Sequence, residues 1–226
     1  MGSHLNFDNI SSSEESSKYY SRVIDELKVT RGTLIDFGCG SGQLAVLASK
    51  ANCKVVGIDL NPPILSKKQA AELSGSLEFV RGGLEQLDAI LAKEGAEYLV
   101  FSNCIQYLNI GRVMEIIARH ACLKKVFIST VLNRYYRERL IRAVKQVHPH
   151  EALRYALLLI KGSIVPYPIY ANSKNEKPPS LRLIDAGMSA AKFGLSSSFS
   201  FDIWGGQPAW IGNLDLFVCF LFEREK

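Results

Sequence analysis

One segment determines the architecture that we expect of this chain: Thr33-Leu34-Ile35-Asp36-Phe37-Gly38-Cys39-Gly40-Ser41-Gly42-Gln43-Leu44. Its apolar first part predicts a buried strand, its three alternate glycines predict a tight turn, and residues 43–50 predict a helix. Glycine suits such a turn because it adopts positive φ without steric cost and lets a ligand approach the bare backbone. The amides at the start of the next helix point toward that ligand. The segment therefore predicts a ligand-binding turn between a strand and a helix.

A second apolar strand follows, Lys54-Val55-Val56-Gly57-Ile58-Asp59-Leu60, and Asp59 ends it. A carboxylate in that place can accept both hydroxyls of a ribose. The dinucleotide fingerprint spaces its glycines as G-x-G-x-x-G. This chain instead has Asp36-x-Gly38-x-Gly40-x-Gly42, with Gln43 where the third dinucleotide glycine would stand. The spacing therefore differs from that of a dinucleotide site. A glycine turn that binds no ligand is the alternative to a ligand-binding turn of another kind.

The D-x-G-x-G-x-G pattern resembles the first motif of class I S-adenosylmethionine (SAM) dependent methyltransferases. In that family the turn holds the methionine part of SAM, and the acid after the second strand holds the ribose. The resemblance implies an α/β, Rossmann-like fold with a mostly parallel seven-stranded sheet and a C-terminal antiparallel hairpin. It also implies SAM as the cofactor. No metal is expected, because the histidines and cysteines do not form a convincing set of metal ligands. The residues expected to bind SAM are Tyr19, Asp36, Gly38, Gly40, Asp59, Leu60, Leu84, Glu85, Ser102 and Asn103.

The rest of the chain supports a doubly wound sheet, because strands and helices alternate five times. The further predicted strands are 77–81, 98–102 and 126–132, and the hairpin strands are 195–203 and 214–223. Asn61-Pro62 predicts the start of a helix over 62–73, and Asn109 predicts the cap of a helix that ends near Cys122. In such a sheet the ligand lies at the carboxyl ends of the strands.

A leading helix is predicted over 13–28, where Tyr19, Val23 and Leu27 share one face. In methyltransferases this helix often covers SAM, so Tyr19 or Tyr20 is expected to close over it. The alternative is that both tyrosines pack on the sheet.

Position 83 departs from the family pattern. Many members carry an acid there that meets the adenine amino group, whereas this chain has Gly83. The Leu84 amide or the Glu85 carboxylate are the substitutes to consider.

The chain is interpreted as a single domain, 1–226, with a helical lid over 133–180 inserted between strands five and six. Its net charge of +5 comes from scattered Lys and Arg, so we expect no nucleic-acid partner. The five cysteines lack paired metal-ligand spacing and are typical of reduced thiols in a cytoplasmic protein. No apolar run is long enough to cross a bilayer. The expected partner is a small-molecule substrate, and the protein is expected to be a monomer or a homodimer.

No clear general base emerges, since His120 is expected on an outer helix and His148-Pro149-His150 joins two lid helices. Two chemistries fit this pattern. One is methyl transfer to a small hydrophobic, natural-product-like acceptor under the lid. The other is ring closure, in which the amine of SAM attacks its own γ-carbon and expels methylthioadenosine, giving azetidine-2-carboxylate. A non-catalytic SAM-binding domain is the third hypothesis.

Ring closure is the leading hypothesis, because the chain also resembles the bacterial azetidine-2-carboxylate synthases. In that family an asparagine, a tyrosine and a serine line the aminobutyrate pocket, and Asn133, Tyr170 and Ser197 match them in order and spacing. The resemblance implies that Asn133 and Ser197 orient the amine while Tyr170 covers it. The alternatives are a helix N-cap for Asn133, a pocket-wall residue for Tyr170 and an ordinary strand serine for Ser197.

Overall fold

The structure is a computed structural model, and it describes residues 14–29, 31–51, 53–64, 76–131, 140–141, 143–164, 181–201 and 217–225. Several predictions fall outside these ranges. They are the helix beyond residue 64, half of the lid, and the two proposed pocket residues Asn133 and Tyr170.

Seven strands of the described ranges form one sheet. They are β1 Thr33–Phe37, β2 Lys54–Asp59, β3 Leu77–Arg81, β4 Tyr98–Ser102, β5 Lys125–Val131, β6 Phe193–Phe201 and β7 Phe217–Arg224. Their order is β3-β2-β1-β4-β5-β7-β6, and β1 to β5 are parallel. β7 runs antiparallel between β5 and β6, so the predicted Rossmann-like sheet with a C-terminal antiparallel hairpin is confirmed.

The order of the strands fixes where a ligand can bind. β1 pairs with β2 on one side and with β4 on the other, so the winding direction changes at β1. The crevice at the carboxyl ends of the strands opens at such a switch point. The glycine turn follows β1 directly, and it therefore lies at this crevice.

Helices cover both faces of the sheet, and their bounds are α1 Glu14–Leu27, α2 Gln43–Ser49, α3 Leu84–Glu94, α4 Ile110–Arg119, α5 Pro149–Ile164 and α6 Leu181–Ala190, with a 3-10 helix at Ile105–Tyr107. One apolar cluster joins α1, α2 and α5 to the first face. A second joins α3, α4 and α6 to the other face. Burial of these two layers is the main source of stability in a fold of this kind.

The leading helix forms as predicted, because its apolar residues recur every four positions. Tyr19, Val23 and Leu27 are all at most 1% exposed and pack on the first face of the sheet. This face carries the alternate residues of each strand, including Phe127 of β5. α1 is therefore fixed on the sheet along its whole buried stripe.

Two helix boundaries differ from the predictions. Residues 62–64 are not helical, so the helix predicted from Pro62 does not begin there. The helix capped by Asn109 ends at Arg119 rather than near Cys122, and the chain turns at His120 to enter β5. The cap itself is confirmed, because the Asn109 side chain accepts a hydrogen bond from the Arg112 amide at 3.1 Å.

Candidate functional site

The three glycines of the turn are all left-handed, with φ of 74° at Gly38, 51° at Gly40 and 77° at Gly42. A Cβ at Gly38 would lie 2.9 Å from the Cys104 sulfur, so that position is packed against the loop after β4. A Cβ at Gly40 would have nothing within 4 Å. The turn is therefore supported by the protein at Gly38 and open to a ligand at Gly40.

Asp59 ties the end of β2 to this turn. Its Oδ2 accepts a hydrogen bond from the Gly40 amide at 3.0 Å, and its Oδ1 accepts one from the Asn61 amide at 2.9 Å. Each carboxylate oxygen has a second lone-pair site, so both can still accept a hydroxyl from a ligand. The same carboxylate can thus fix the turn and bind a ribose beside it.

Asp36 lies beneath the turn and is only 1% exposed. Neither of its carboxylate oxygens makes a hydrogen bond within the described residues. Burial, and then the charge of Asp59, raise the pKa of Asp36 to about 7; the backbone amide of Ala45 lies near enough to oppose this rise, although it does not form a hydrogen bond with the carboxylate. An unpaired buried carboxylate is costly unless a cation or donor completes it. The cationic ammonium and sulfonium groups of SAM carry the charge that complements Asp36 and Asp59, so these residues fit that cofactor.

Two thiols face the same acidic environment. Burial, followed by the charge of Asp36, raises the pKa of both Cys39 and Cys104 above the ordinary value of a thiol. The Cys104 thiol donates a hydrogen bond to the Phe37 carbonyl at 3.0 Å. Because the thiolate is the nucleophilic form, these thiols act as packing groups around the turn.

The carboxyl ends of β2 and β3 offer an apolar surface and an acid. Leu60 is 68% exposed directly after Asp59. The Glu85 carboxylate lies 3.6 Å from the position that a Cβ on Gly83 would take. The carboxylate of Glu85 therefore lies close to position 83, although Glu85 is two residues later in the sequence. The Gly83 amide itself donates to the Gln86 side chain at 2.9 Å.

A buried hydroxyl network joins α1 to the ends of β4 and β5. The Tyr19 hydroxyl lies 2.7 Å from Ser129 Oγ and 3.1 Å from Ser102 Oγ. Tyr19 is thus packed on the sheet, as in the alternative weighed for it, and its role in SAM binding stays a prediction. Tyr20 packs on Tyr19, with the centroids of the two rings 5.1 Å apart. Burial, and then the charge of Asp36, raise the pKa of Tyr20 to about 12.

Asn103 follows β4 with φ of 53°, an uncommon conformation for a residue other than glycine. Its backbone amide donates to Ser129 Oγ at 3.0 Å and to the Ser129 carbonyl at 3.2 Å. Its backbone carbonyl accepts from Gln106 Nε2 at 2.6 Å. Left-handed conformations of this kind persist only where the surroundings hold them, and they cluster at binding sites.

Ser197 is separate from this group of residues. It lies within β6, at the far edge of the sheet from β3, and its hydroxyl donates to Glu26 of α1 at 3.1 Å. The structure therefore gives Ser197 a partner in the leading helix. Its proposed role in catalysis stays a prediction.

His120 lies in the outer layer as expected, but it caps α4 instead of standing within the helix. His120 Nε2 lies 2.9 Å from Asp88 Oδ1, which joins α4 to α3. His120 follows the C-terminal end of α4 and precedes β5, so it lies at the amino edge of the sheet, opposite the glycine turn. This position suits a structural hydrogen bond that links the end of α4 to α3.

Sequence reasoning missed Ser129 and Gln106, although both hold Asn103. Ser102 and Ser129 are paired residues near the carboxyl ends of β4 and β5. Polar residues at the ends of two strands that are neighbours in the sheet were the available signal, but recognising it required the strand register. Gln106 stands in a short 3-10 helix and is 1% exposed, which no local pattern indicates.

Comparison with known families places the glycine turn in a recognised domain. Residues 34–125 match the family described as "Methyltransferase domain". Ribosomal protein L11 methyltransferase of Vibrio cholerae serotype O1 is 39% identical over 97 residues, which are 41% of this chain and 30% of that protein. The protein of the same name from Glaesserella parasuis is 36% identical over 95 residues, again 30% of its length. The chain thus matches less than a third of these relatives.

Solved structures match over the whole chain. The 1,6-didemethyltoxoflavin-N1-methyltransferase of Burkholderia thailandensis, with bound 1,6-didemethyltoxoflavin and S-adenosylhomocysteine, covers 99% of this chain and 84% of its own, with a TM-score of 0.62 and 15% identity. Magnesium protoporphyrin IX methyltransferase of Synechocystis PCC 6803 with bound S-adenosylhomocysteine covers 100% and 90%, with a TM-score of 0.58 and 14% identity. These similarities show that the chain has the fold of SAM-dependent methyltransferases.

The comparisons support methyl transfer better than the ring closure favoured at first. The azetidine-2-carboxylate synthase resemblance stays a hypothesis that no matched relative or solved structure named above supports. Among the described helices, none is both long and apolar enough to span a bilayer.

Proposed function

We propose that this protein is a SAM-dependent methyltransferase that acts on a small hydrophobic acceptor. The observation that carries the proposal is the open left-handed turn at Gly40, which is hydrogen-bonded to Asp59 and lies above the unpaired carboxylate of Asp36. Together these residues supply an anionic, backbone-lined crevice at the switch point of the sheet. Both the fold and the match over residues 34–125 support this assignment.

SAM supplies an activated methyl group when it is bound, and the residues described above orient it. In this proposal Asp59 accepts the ribose hydroxyls, while Asp36 compensates the positive charge of the amino-acid end. Leu60 packs its exposed side chain against the adenine. Glu85 replaces the acid missing at Gly83, because its carboxylate accepts a hydrogen bond from the adenine amino group. Cys39 and Cys104 fill the space behind the turn, which excludes water from the crevice.

The proposed acceptor class is supported by one of the matched structures rather than by the curated relatives. The ribosomal protein methyltransferases match this chain only over the part that contains the glycine turn, so their substrate does not transfer. The matched structures that cover the chain from end to end include an enzyme with a small heterocycle bound. In this proposal the lid predicted over 133–180 encloses an acceptor of comparable size.

Product analysis by mass spectrometry tests the proposal. Purified protein is incubated with SAM alone and with SAM plus pools of small aromatic and heterocyclic acceptors. We expect S-adenosylhomocysteine only in the presence of an acceptor. Methylthioadenosine and azetidine-2-carboxylate from SAM alone would establish the ring-closure alternative instead. Consumption of SAM under neither condition, with SAM still bound, would identify a binding protein.

A further inference from the structure

Asn103 is held by hydrogen bonds to both its backbone and its side chain. Three hydrogen bonds fix its left-handed backbone, two to Ser129 and one from Gln106. Its side chain is fixed as well, because Ser129 Oγ donates to Asn103 Oδ1 at 3.1 Å. A side chain fixed in this way at the end of β4, beside the glycine turn, is suited to selecting a ligand.

The protons of this network can be counted. A side-chain amide oxygen has no proton, so Ser129 is the donor in its contact with Asn103 Oδ1. The single hydroxyl proton of Ser129 is then used, and Tyr19 must donate in the 2.7 Å contact between the two hydroxyls. The order of donation therefore runs from Tyr19 through Ser129 to Asn103.

This order fixes which end of the Asn103 amide faces Ser129 and leaves the other end, Nδ2, as a donor. Its Oδ1 already accepts a hydrogen bond from Ser129. Its Nδ2 has no hydrogen-bond partner among the described residues, and this atom is not fully buried. Asn103 is partly exposed, so the two Nδ2 protons are accessible to a ligand. Donation in series also polarises the amide and strengthens these donors.

From this we infer that Asn103 determines specificity by donating a hydrogen bond to the acceptor substrate, which therefore carries a carbonyl, a carboxylate or an unprotonated ring nitrogen. The inference rests on the proposed function, since it takes the end of β4 as the place where the acceptor meets SAM. An amine would have to share the Asn103 oxygen with Ser129, whereas the Nδ2 donors have no competitor among the described residues. Tyr19 and Ser129 are positioning residues that keep the amide in this orientation.

The test uses two aromatic probes of similar size, benzoate and benzylammonium, titrated into the full chain saturated with S-adenosylhomocysteine. NMR of asparagine-labelled protein follows the Nδ2 protons of Asn103. The variant Asn103→Asp keeps an oxygen for Ser129 and replaces the donor by a second oxygen. Aspartate also tolerates the left-handed conformation, so the variant is expected to fold. Asn109→Asp is the matched control, because Asn109 also uses its Oδ1, to cap α4.

We expect benzoate to shift the NMR signals of the Asn103 amide protons. We also expect it to bind about tenfold more weakly to Asn103→Asp, because the benzoate carboxylate loses the hydrogen bond that Nδ2 donates. Asn109→Asp should leave the benzoate affinity unchanged. Preference of the wild type for benzylammonium, equal benzoate affinity in Asn103→Asp, or no response of the amide to either probe would overturn the inference.

A second variant covers the case in which Asn103→Asp does not fold. Ser129→Ala removes the donor that engages Oδ1, so the preference for benzoate over benzylammonium should decrease, and an undiminished preference would contradict the proposal. Failure of S-adenosylhomocysteine to bind the wild type would overturn the proposed function separately. The same titrations on the free protein would then decide the role of Asn103 by the same criteria.

Discussion

The carboxylate of Asp59 accepts a hydrogen bond from the Gly40 amide at 3.0 Å, which joins the end of β2 to the turn after β1. The bond holds the turn in its left-handed conformation before any ligand arrives. Pre-organisation of this kind lowers the entropic cost of binding. The crevice is therefore formed by contacts within the chain itself.

Gly40→Ala should separate the cost to stability from the cost to binding. Both Gly40 and Gly95 have left-handed φ, 51° and 58°, and a Cβ at either would have nothing within 4 Å. Alanine in that conformation costs about 1 kcal/mol, so both variants should lose a similar amount of stability in thermal denaturation. Only Gly40→Ala should also weaken SAM binding, because Gly95 caps the distant end of α3. Equal SAM affinities in the two variants would mean that Gly40 does not border the ligand.

Asp36→Asn should stabilise the ligand-free protein at alkaline pH. The pKa of Asp36 is raised from the ordinary 3.8 to about 7, so in this range the folded protein holds a proton that the unfolded chain has released. Stability contributed by that proton is complete below pH 4 and is lost as the pH rises through 7. Asparagine does not ionise, and the melting temperature of the variant relative to wild type should therefore rise between pH 4 and pH 8.

Asp88→Asn is the control with the opposite sign. The hydrogen bond from His120 lowers the pKa of Asp88, so its ionised form stabilises the fold above the ordinary pKa of a carboxyl group. This variant should be less stable than wild type at neutral pH. If Asp36→Asn were likewise less stable than wild type at neutral pH, the prediction would be contradicted. Asp36 would then be ionised, with its charge compensated, in the free protein.

Ser197→Ala tests the ring-closure hypothesis directly. In the structure Ser197 donates a hydrogen bond to Glu26 at 3.1 Å, so its loss should reduce stability by about 1 kcal/mol and leave turnover of SAM unchanged. Ser198→Ala, an exposed neighbour on the same strand, is the control for stability. A loss of methylthioadenosine formation in Ser197→Ala alone, measured by mass spectrometry, would favour ring closure over methyl transfer.

Tyr19→Phe should loosen the network between α1 and the end of β4. The variant keeps the ring in the core but removes the donor to Ser129, which costs about 1 kcal/mol. A double-mutant cycle with Ser129→Ala should give a coupling of at least about 0.5 kcal/mol, since the two hydroxyls are in contact. Additive effects in chemical denaturation would show that the hydroxyl contact contributes nothing.

The sheet could be predicted from sequence because its strands are short apolar runs bounded by glycine and polar residues. The predicted bounds of β3 and β4 are those observed, since both are short runs rich in apolar residues with polar residues or glycine beside them. The glycine turn was equally clear, because three alternate glycines indicate positive φ, and all three have it.

The polar network could not be predicted in this way. The contacts of Tyr19 with Ser102 and Ser129 join residues 83 and 110 positions apart, so no local pattern reveals them. The left-handed conformation of Asn103 depends on those contacts rather than on its neighbours in sequence. Likewise, Ser197 was correctly placed in the hairpin, but only the packing of α1 on the sheet shows that its hydroxyl is engaged by Glu26.

The central claim is that the carboxyl ends of β1 and β2 bind SAM, and calorimetric titration of SAM into the wild type and Asp59→Asn tests it most directly. Asp25→Asn, an exposed acid on α1, is the control for net charge. We predict saturable one-to-one binding to the wild type and to Asp25→Asn, and an affinity at least about tenfold lower for Asp59→Asn, which loses charged hydrogen bonds. Absence of binding to the wild type, or equal affinity in Asp59→Asn, would contradict the account.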